Sequence, residues 1–296
     1  MSHGPTRYPS FGACIYCGKD DVELTDEHVM PFALGGAHIL ERASCRDCAK
    51  MTSRFETAVL RGMWGDAREA FNAPSRHKKR RKGYIEMPDP DDPSLVRQIP
   101  SAQHPGPMVF YRISRAGILI GAPVTLDTSA SWELVVIDDN LRLKALEKLY
   151  PGKLTFKFRH SPYEFGRMIA KIGYCQVLTS LTPNDFHPFC LPYIMGTKHN
   201  VSYIVGGSTD AQQANDKSGY DLSTFAFGTI DHLYLLASVR LLSNTHAPQY
   251  HVVVGDVIGR DAVVAVTEKI GPASVEVTKF GASANPEHWQ PLVWPL

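Results

Sequence analysis

Four cysteines fall as two pairs, Cys14-Ile-Tyr-Cys17 and Cys45-Arg-Asp-Cys48, with 27 residues between them. The two-residue spacing lets a tight turn aim both sulfurs of a pair at one ion, and two such pairs complete a tetrahedral set of four thiolates. The segment between them is too short for an independent hydrophobic core. This end of the chain is therefore expected to fold around a structural Zn²⁺, whose binding supplies on the order of 10 kcal/mol. Cys175 and Cys190 remain, and in a reducing compartment they are expected as buried thiols rather than a disulfide.

At 296 residues the chain is long enough for two domains. No apolar run approaches the roughly 18 residues of a membrane span, and the first residues lack the apolar stretch of a signal peptide. The expected compartment is the cytoplasm, with no membrane partner. The net charge of +1 is unevenly divided: residues 1–53 hold five basic and seven acidic side chains, and residues 54–82 hold nine basic and three acidic. The positive charge thus follows directly on the cysteine bracket, where a phosphate backbone would lie if the bracket acts on nucleic acid.

The segment framed by the cysteines predicts a short strand near residues 22–25, which delivers Glu27 and His28 to its end before Pro31 stops it. Gly35-Gly36 marks a turn, and a loop is expected through Ala37 to Ala43 before the second cysteine pair. After Cys48, Met51, Phe55, Val59 and Met63 recur every four residues and predict a helix. A proline-rich stretch, with Pro88, Pro90, Pro93, Pro100, Pro105 and Pro107, divides the chain into residues 1–83, a linker over 84–107 and a second domain over 108–296. In the last part, strands are expected over 108–113, 117–120, 133–137, 153–158, 202–205, 232–236, 251–254, 262–266 and 274–280. One helix is expected over 163–179, with Phe165, Met168, Ile169, Ile172 and Cys175 on its buried face and Arg167 and Lys171 off it. The fold class is α+β, a small zinc-stapled unit followed by a larger strand-rich α+β domain. His232 alternates with apolar residues and reads as a satisfied sheet histidine.

The order Cys14-x-x-Cys17, Asp26-Glu27-His28-Val29-Met30-Pro31, Leu34-Gly35-Gly36, Ala43-Ser44-Cys45-x-x-Cys48 resembles the zinc-stapled HNH endonucleases of the ββα-metal fold, over residues 14 to about 60. That resemblance implies metal-dependent hydrolysis of DNA phosphodiester bonds, with Glu27 a ligand of a catalytic Mg²⁺ or Mn²⁺ and His28 the general base. The chemistry agrees: histidine titrates near pH 6.5, and a hard divalent ion suits carboxylate and water ligands. The family's last metal position falls on Ala49, which cannot bind metal. Thr52, Ser53 and Glu56 on the following turns, His38 in the loop, or a water could take its place, and Asp26 competes with Glu27 to point inward.

Arg54, Arg61, Arg76, Lys78, Lys79, Arg80, Arg81 and Lys82 are the candidate phosphate contacts, with Arg68 spaced to extend the Arg54 and Arg61 stripe. Nucleases of this kind often serve phage defence with an appended sensing domain, which here would take an activating ligand or protein partner through residues 108–296; a homo-oligomer is compatible with the chain. A nuclease-dead DNA-binding or scaffold protein is the alternative, and a second domain that is itself an enzyme is a third reading.

Overall fold

The computed structural model describes residues 4–75, 81–92, 94–152, 154–208, 212–214 and 219–271. Its first unit is built on the cysteine bracket. Strand β1 (Thr6–Tyr8) pairs in parallel with β3, and β2 (Leu24–His28) pairs antiparallel with β3 (His38–Cys45), giving the sheet order β1-β3-β2. The strand expected near residues 22–25 is therefore longer and contains both Glu27 and His28. Two glycines make the turn between β2 and β3: Gly35 adopts φ +85°, and a Cβ on Gly36 would fall 1.9 Å from the Met30 carbonyl oxygen.

Helix α1 (Arg46–Thr57) starts directly after Cys45 and continues into a wide π-helical stretch, Ala58–Met63, then α2 (Gly65–Ala70). The wide stretch has a physical reason. Apolar residues spaced by four drift around a helix of 3.6 residues per turn, and the wider turns keep Phe55, Val59 and Met63 all buried.

Within residues 84–107, expected as linker, β4 (Tyr84–Pro88) and β5 (Val96–Pro100) form an antiparallel hairpin. Met87 and Ile99 of this hairpin pack with Leu146 of α3 (Asn140–Leu149), whose N-cap Asp139 accepts the Leu141 and Arg142 backbone N–H groups. His104 is buried nearby: its Nδ1 accepts the Gly106 N–H at 3.1 Å and its ring meets Phe156 edge-on. Burial, helped by Arg142, pushes its imidazole down to about 4 from an ordinary 6.5. The native state then binds fewer protons than the unfolded chain, so the stability held above pH 6.5 is lost as pH falls toward 4. We expect the thermal midpoint of wild type to fall more than that of His104→Gln between about pH 7 and pH 5; equal falls would place the acid sensitivity elsewhere.

Strands β6 (Met108–Arg112) and β7 (Glu133–Ile137) form an antiparallel ribbon, and α4 (Pro162–Val177) follows. After the short α5 (Leu191–Met195) come β8 (Val205–Gly207), β9 (Tyr220–Gly228), β10 (His232–Leu241) and β11 (Gln249–Ile258), an antiparallel sheet of order β8-β11-β10-β9, and then α6 (Arg260–Ile270). His232 Nε2 is 2.9 Å from Asp256 Oδ2 across this sheet. The class is α+β. Several expected strands are corrected: 117–120 and Ser202–Tyr203 are 3-10 turns, with only Val205 of 202–205 in a strand, 154–158 has no strand, and 262–266 lies in α6. In α6 the valine-rich run turns Val263 and Val266 inward and leaves Val264 exposed, so packing of one helical face on the sheet overrides β propensity. The segment 274–280 lies outside the described residues.

Helix α4 is packed on two sides. Gly166 and Gly173 let it approach its neighbours closely; a Cβ on Gly173 would lie 2.7 Å from Val252 Cβ of the sheet. Its other side meets the cysteine-framed unit, where the Tyr174 hydroxyl donates to the Ile15 carbonyl at 2.7 Å and the Arg167 guanidinium lies 4.7 Å over the Phe55 ring. Trp64 joins the two parts further, with its Nε1 donating to the Val109 carbonyl at 2.7 Å and its ring against Phe110 and Phe165. One hydrophobic core runs from Cys14 to Val266. No helix among the described residues is long and apolar enough to cross a membrane.

Candidate functional site

The four cysteine sulfurs converge, every pair lying within 4.8 Å. Zinc–sulfur bonds of about 2.3 Å in a tetrahedron place sulfurs about 3.8 Å apart. The Cys17 and Cys45 sulfurs are 3.8 Å apart, and the Cys45 N–H donates to Cys14 Sγ at 3.3 Å. Donor type, number and spacing therefore fit one zinc ion. All six cysteines are free of disulfides, and Cys175 and Cys190 are buried.

Glu27 and His28 are set by a bulge. Thr25 pairs with Ser44 and Glu27 with Leu40, so residues 41–43 of β3 stand opposite Asp26 alone. Arg42 sits in the bulge with φ +46°. Its N–H donates to Asp26 Oδ1 at 3.1 Å, and Arg7 Nη1 is 3.0 Å from Asp26 Oδ2. These contacts turn Asp26 outward and hold its carboxyl below the usual range, the Arg42 N–H being the larger cause. Glu27 consequently faces inward, 7% exposed.

What Glu27 meets is a lysine from the far part of the chain. Lys171 of α4 places its Nζ 2.6 Å from Glu27 Oε1 and 3.1 Å from Glu56 Oε1 of α1, and also donates to the His28 carbonyl oxygen. The ammonium thus hydrogen-bonds the Glu27 carboxylate and the His28 carbonyl, while Glu56 faces it as a second negative charge. Lys171 is wholly buried, contrary to the expectation that it lies off the buried face. The physical reason is that α4 is enclosed on both sides, so its charged position needs a carboxylate partner rather than water. Burial penalises the ammonium, but Glu27 and Glu56 outweigh that and raise Lys171 above its ordinary value. Burial and the Glu56 charge push Glu27 upward, with Lys171 and a Tyr16 hydrogen bond pulling against them.

The structure brings Glu27, Glu56 and the His28 backbone to one point and leaves the other candidate ligands elsewhere. Ser53 is exposed, Thr52 is buried with its hydroxyl on the Ala49 carbonyl at 3.1 Å, and His38 Nδ1 is 2.8 Å from the Tyr8 hydroxyl. The His28 ring lies 5.9 Å from that of Phe32. Lys171 is the residue that sequence reasoning missed at this site. Its trace was present, since it stands three residues after Met168 and four before Cys175 and so shares their helical stripe.

Of the basic candidates, Arg54 and Arg61 are exposed. Lys82 pairs with Glu86 at 2.9 Å, and Arg81 turns back to Asn72, Ala73 and Glu69. Arg68 does not extend the stripe: its guanidinium donates to the carbonyls of Ala33, Leu60 and Pro74. Arg76, Lys78, Lys79 and Arg80 lie outside the described residues.

Residues 14–61 match the family model described as HNH endonuclease. The matched segment spans the cysteine cluster, both strands of the ββ pair and α1 with Glu56, so the first unit is an HNH-type segment with a potential zinc site. No curated protein and no solved structure matches the chain.

Proposed function

We propose that this protein is a metal-dependent HNH endonuclease acting on DNA, whose zinc-stapled unit carries the chemistry and whose residues 108–296 restrain or sense. The observation that carries this reading is the convergence of Glu27 and Glu56 on one cation position beside His28, inside the segment that matches HNH endonucleases. Two carboxylates are the hard donors that suit Mg²⁺ or Mn²⁺, which when bound supplies electrostatic stabilisation of charge on the phosphate. His28 takes the proton from a water as its oxygen attacks phosphorus and the bond to the leaving oxygen breaks. Arg54 and Arg61, with Arg76, Lys78, Lys79, Arg80 and Lys82 of the basic run, contact the phosphate backbone and position it without reading sequence, while Arg81 stays on Asn72 and Glu69. Zinc at Cys14, Cys17, Cys45 and Cys48 fixes the two ends of the unit and takes no part in the reaction.

Purified full-length protein should nick supercoiled plasmid with Mg²⁺ or Mn²⁺ at low salt, not with EDTA, and His28→Ala should lower the rate by about a hundredfold or more. The burial of Glu27 against Lys171, with Glu56 half-buried beside them, favours a second reading, a nuclease-silent DNA binder. That reading gains if wild type and Lys171→Met both bind plasmid and neither cuts it. Binding should then persist in His28→Ala and weaken when Lys78, Lys79, Arg80, Arg81 and Lys82 are neutralised.

A further inference from the structure

We propose that Lys171 is a tethered cation standing where a divalent metal would bridge Glu27 and Glu56, so that metal enters only when α4 withdraws its ammonium. The inference rests on the nuclease reading for its biological meaning but not for its test. The geometry carries it. The lysine is supplied 143 positions downstream of His28, from the helix that joins the HNH-type unit to the four-stranded sheet. Its Nζ lies within ion-pair distance of both carboxylates, and a hydrogen bond from it holds the backbone of His28. Metal site and base are thereby tied to the same side chain.

Charge and cost argue for a switch rather than a simple rivet. One ammonium faces two carboxylates, so a divalent ion would balance the site more completely than Lys171 does. Buried ion pairs are poor sources of stability, because each desolvated ion costs several kcal/mol, and apolar side chains would join α4 to α1 as well. A buried pair is suited to fixing one arrangement of two parts and releasing it when a competing charge arrives. The competitor here is a hard divalent cation.

Mn²⁺ binding to zinc-loaded full-length protein, followed by the electron paramagnetic resonance signal of free Mn²⁺, tests this without reference to cleavage. Lys171→Met should bind one Mn²⁺ at least about tenfold more tightly than wild type, and Mn²⁺ should raise its thermal midpoint more than that of wild type. Adding Glu56→Gln to Lys171→Met should abolish the gain. The proposal is overturned if the folded, zinc-retaining Lys171→Met binds Mn²⁺ no better than wild type, or if the gain survives Glu56→Gln. Should Lys171→Met fail to fold, Lys171→Gln replaces it. If neither folds without Mn²⁺, refolding promoted by Mn²⁺ supports the proposal, and refolding indifferent to Mn²⁺ overturns it. Tighter Mn²⁺ binding without plasmid cleavage would keep the tethered cation and discard the nuclease. Cleavage by wild type with Mn²⁺ affinity equal to that of Lys171→Met would do the reverse.

Discussion

Cys48→Ser is expected to lose its bound zinc and, with it, the folding of the whole cysteine-framed unit. A structural zinc contributes on the order of 10 kcal/mol, comparable with the entire stability of an ordinary domain. The damage should not stop at the knuckles. Cys14, Ile15, Tyr16, Cys45 and Cys48 belong to the same core as α4, and the Ile15 carbonyl accepts the Tyr174 hydroxyl at 2.7 Å while the Tyr16 hydroxyl lies 3.6 Å from Cys175 Sγ. Releasing the first knuckle therefore uncovers one side of α4, along with the buried Lys171. Zinc content by elemental analysis and thermal unfolding of Cys48→Ser would be compared with Cys190→Ser, a buried cysteine outside the four-sulfur cluster. One zinc per chain in Cys48→Ser, or a thermal midpoint close to that of wild type, would remove the cysteine cluster from the account of stability.

The first unit was largely legible in the sequence because its determinants are local. Cysteine spacing, the Gly35-Gly36 turn and the apolar residues after Cys48 each act within a few positions and mark knuckle, strand, turn, knuckle and helix; residues 38–43, expected as loop, instead belong to β3, whose pairing with β1 and β2 is not a local property. The selection of Glu27 over Asp26 was not legible, since alternation in a strand says that one of two neighbours faces inward but not which. The bulge at 41–43 and the Arg42 N–H decide it. Beyond residue 107 the local rules gave way to packing. The run Ala262-Val263-Val264-Ala265-Val266 has the composition of a strand, yet the sheet already has its strands and needs a helix to cover it. Lys171 escaped notice for a related reason: a charge on an apolar stripe is normally solvated, and only the approach of Glu27 and Glu56 from a distant part of the chain makes its burial tolerable.

That same dependence gives the second large effect, on stability. Glu27→Ala should cost about 3–5 kcal/mol, because it strands a buried ammonium with one remaining carboxylate. Solvent screens the pair little, since the side chains of Lys171 and Glu27 are 1% and 9% exposed and that of Glu56 is 20%. Lys171→Met should be costly for the mirror-image reason, leaving the buried Glu27 beside Glu56 with no cation to balance them. Glu27→Leu combined with Lys171→Met should recover most of either loss, since removing both charges replaces an ion pair by apolar contacts of similar volume, and Glu56 retains enough exposure to be hydrated. Urea unfolding of Glu27→Leu, Lys171→Met and their double variant, with zinc content held equal, yields the coupling between the two residues; we expect it to be at least about 3 kcal/mol, the cost of one single change. A Glu27→Ala cost below about 1 kcal/mol, the range of exposed pairs, would mean that water reaches the triad. Lys171 would then be an ordinary surface lysine in solution, and the carboxylates would be open to metal without any movement of α4.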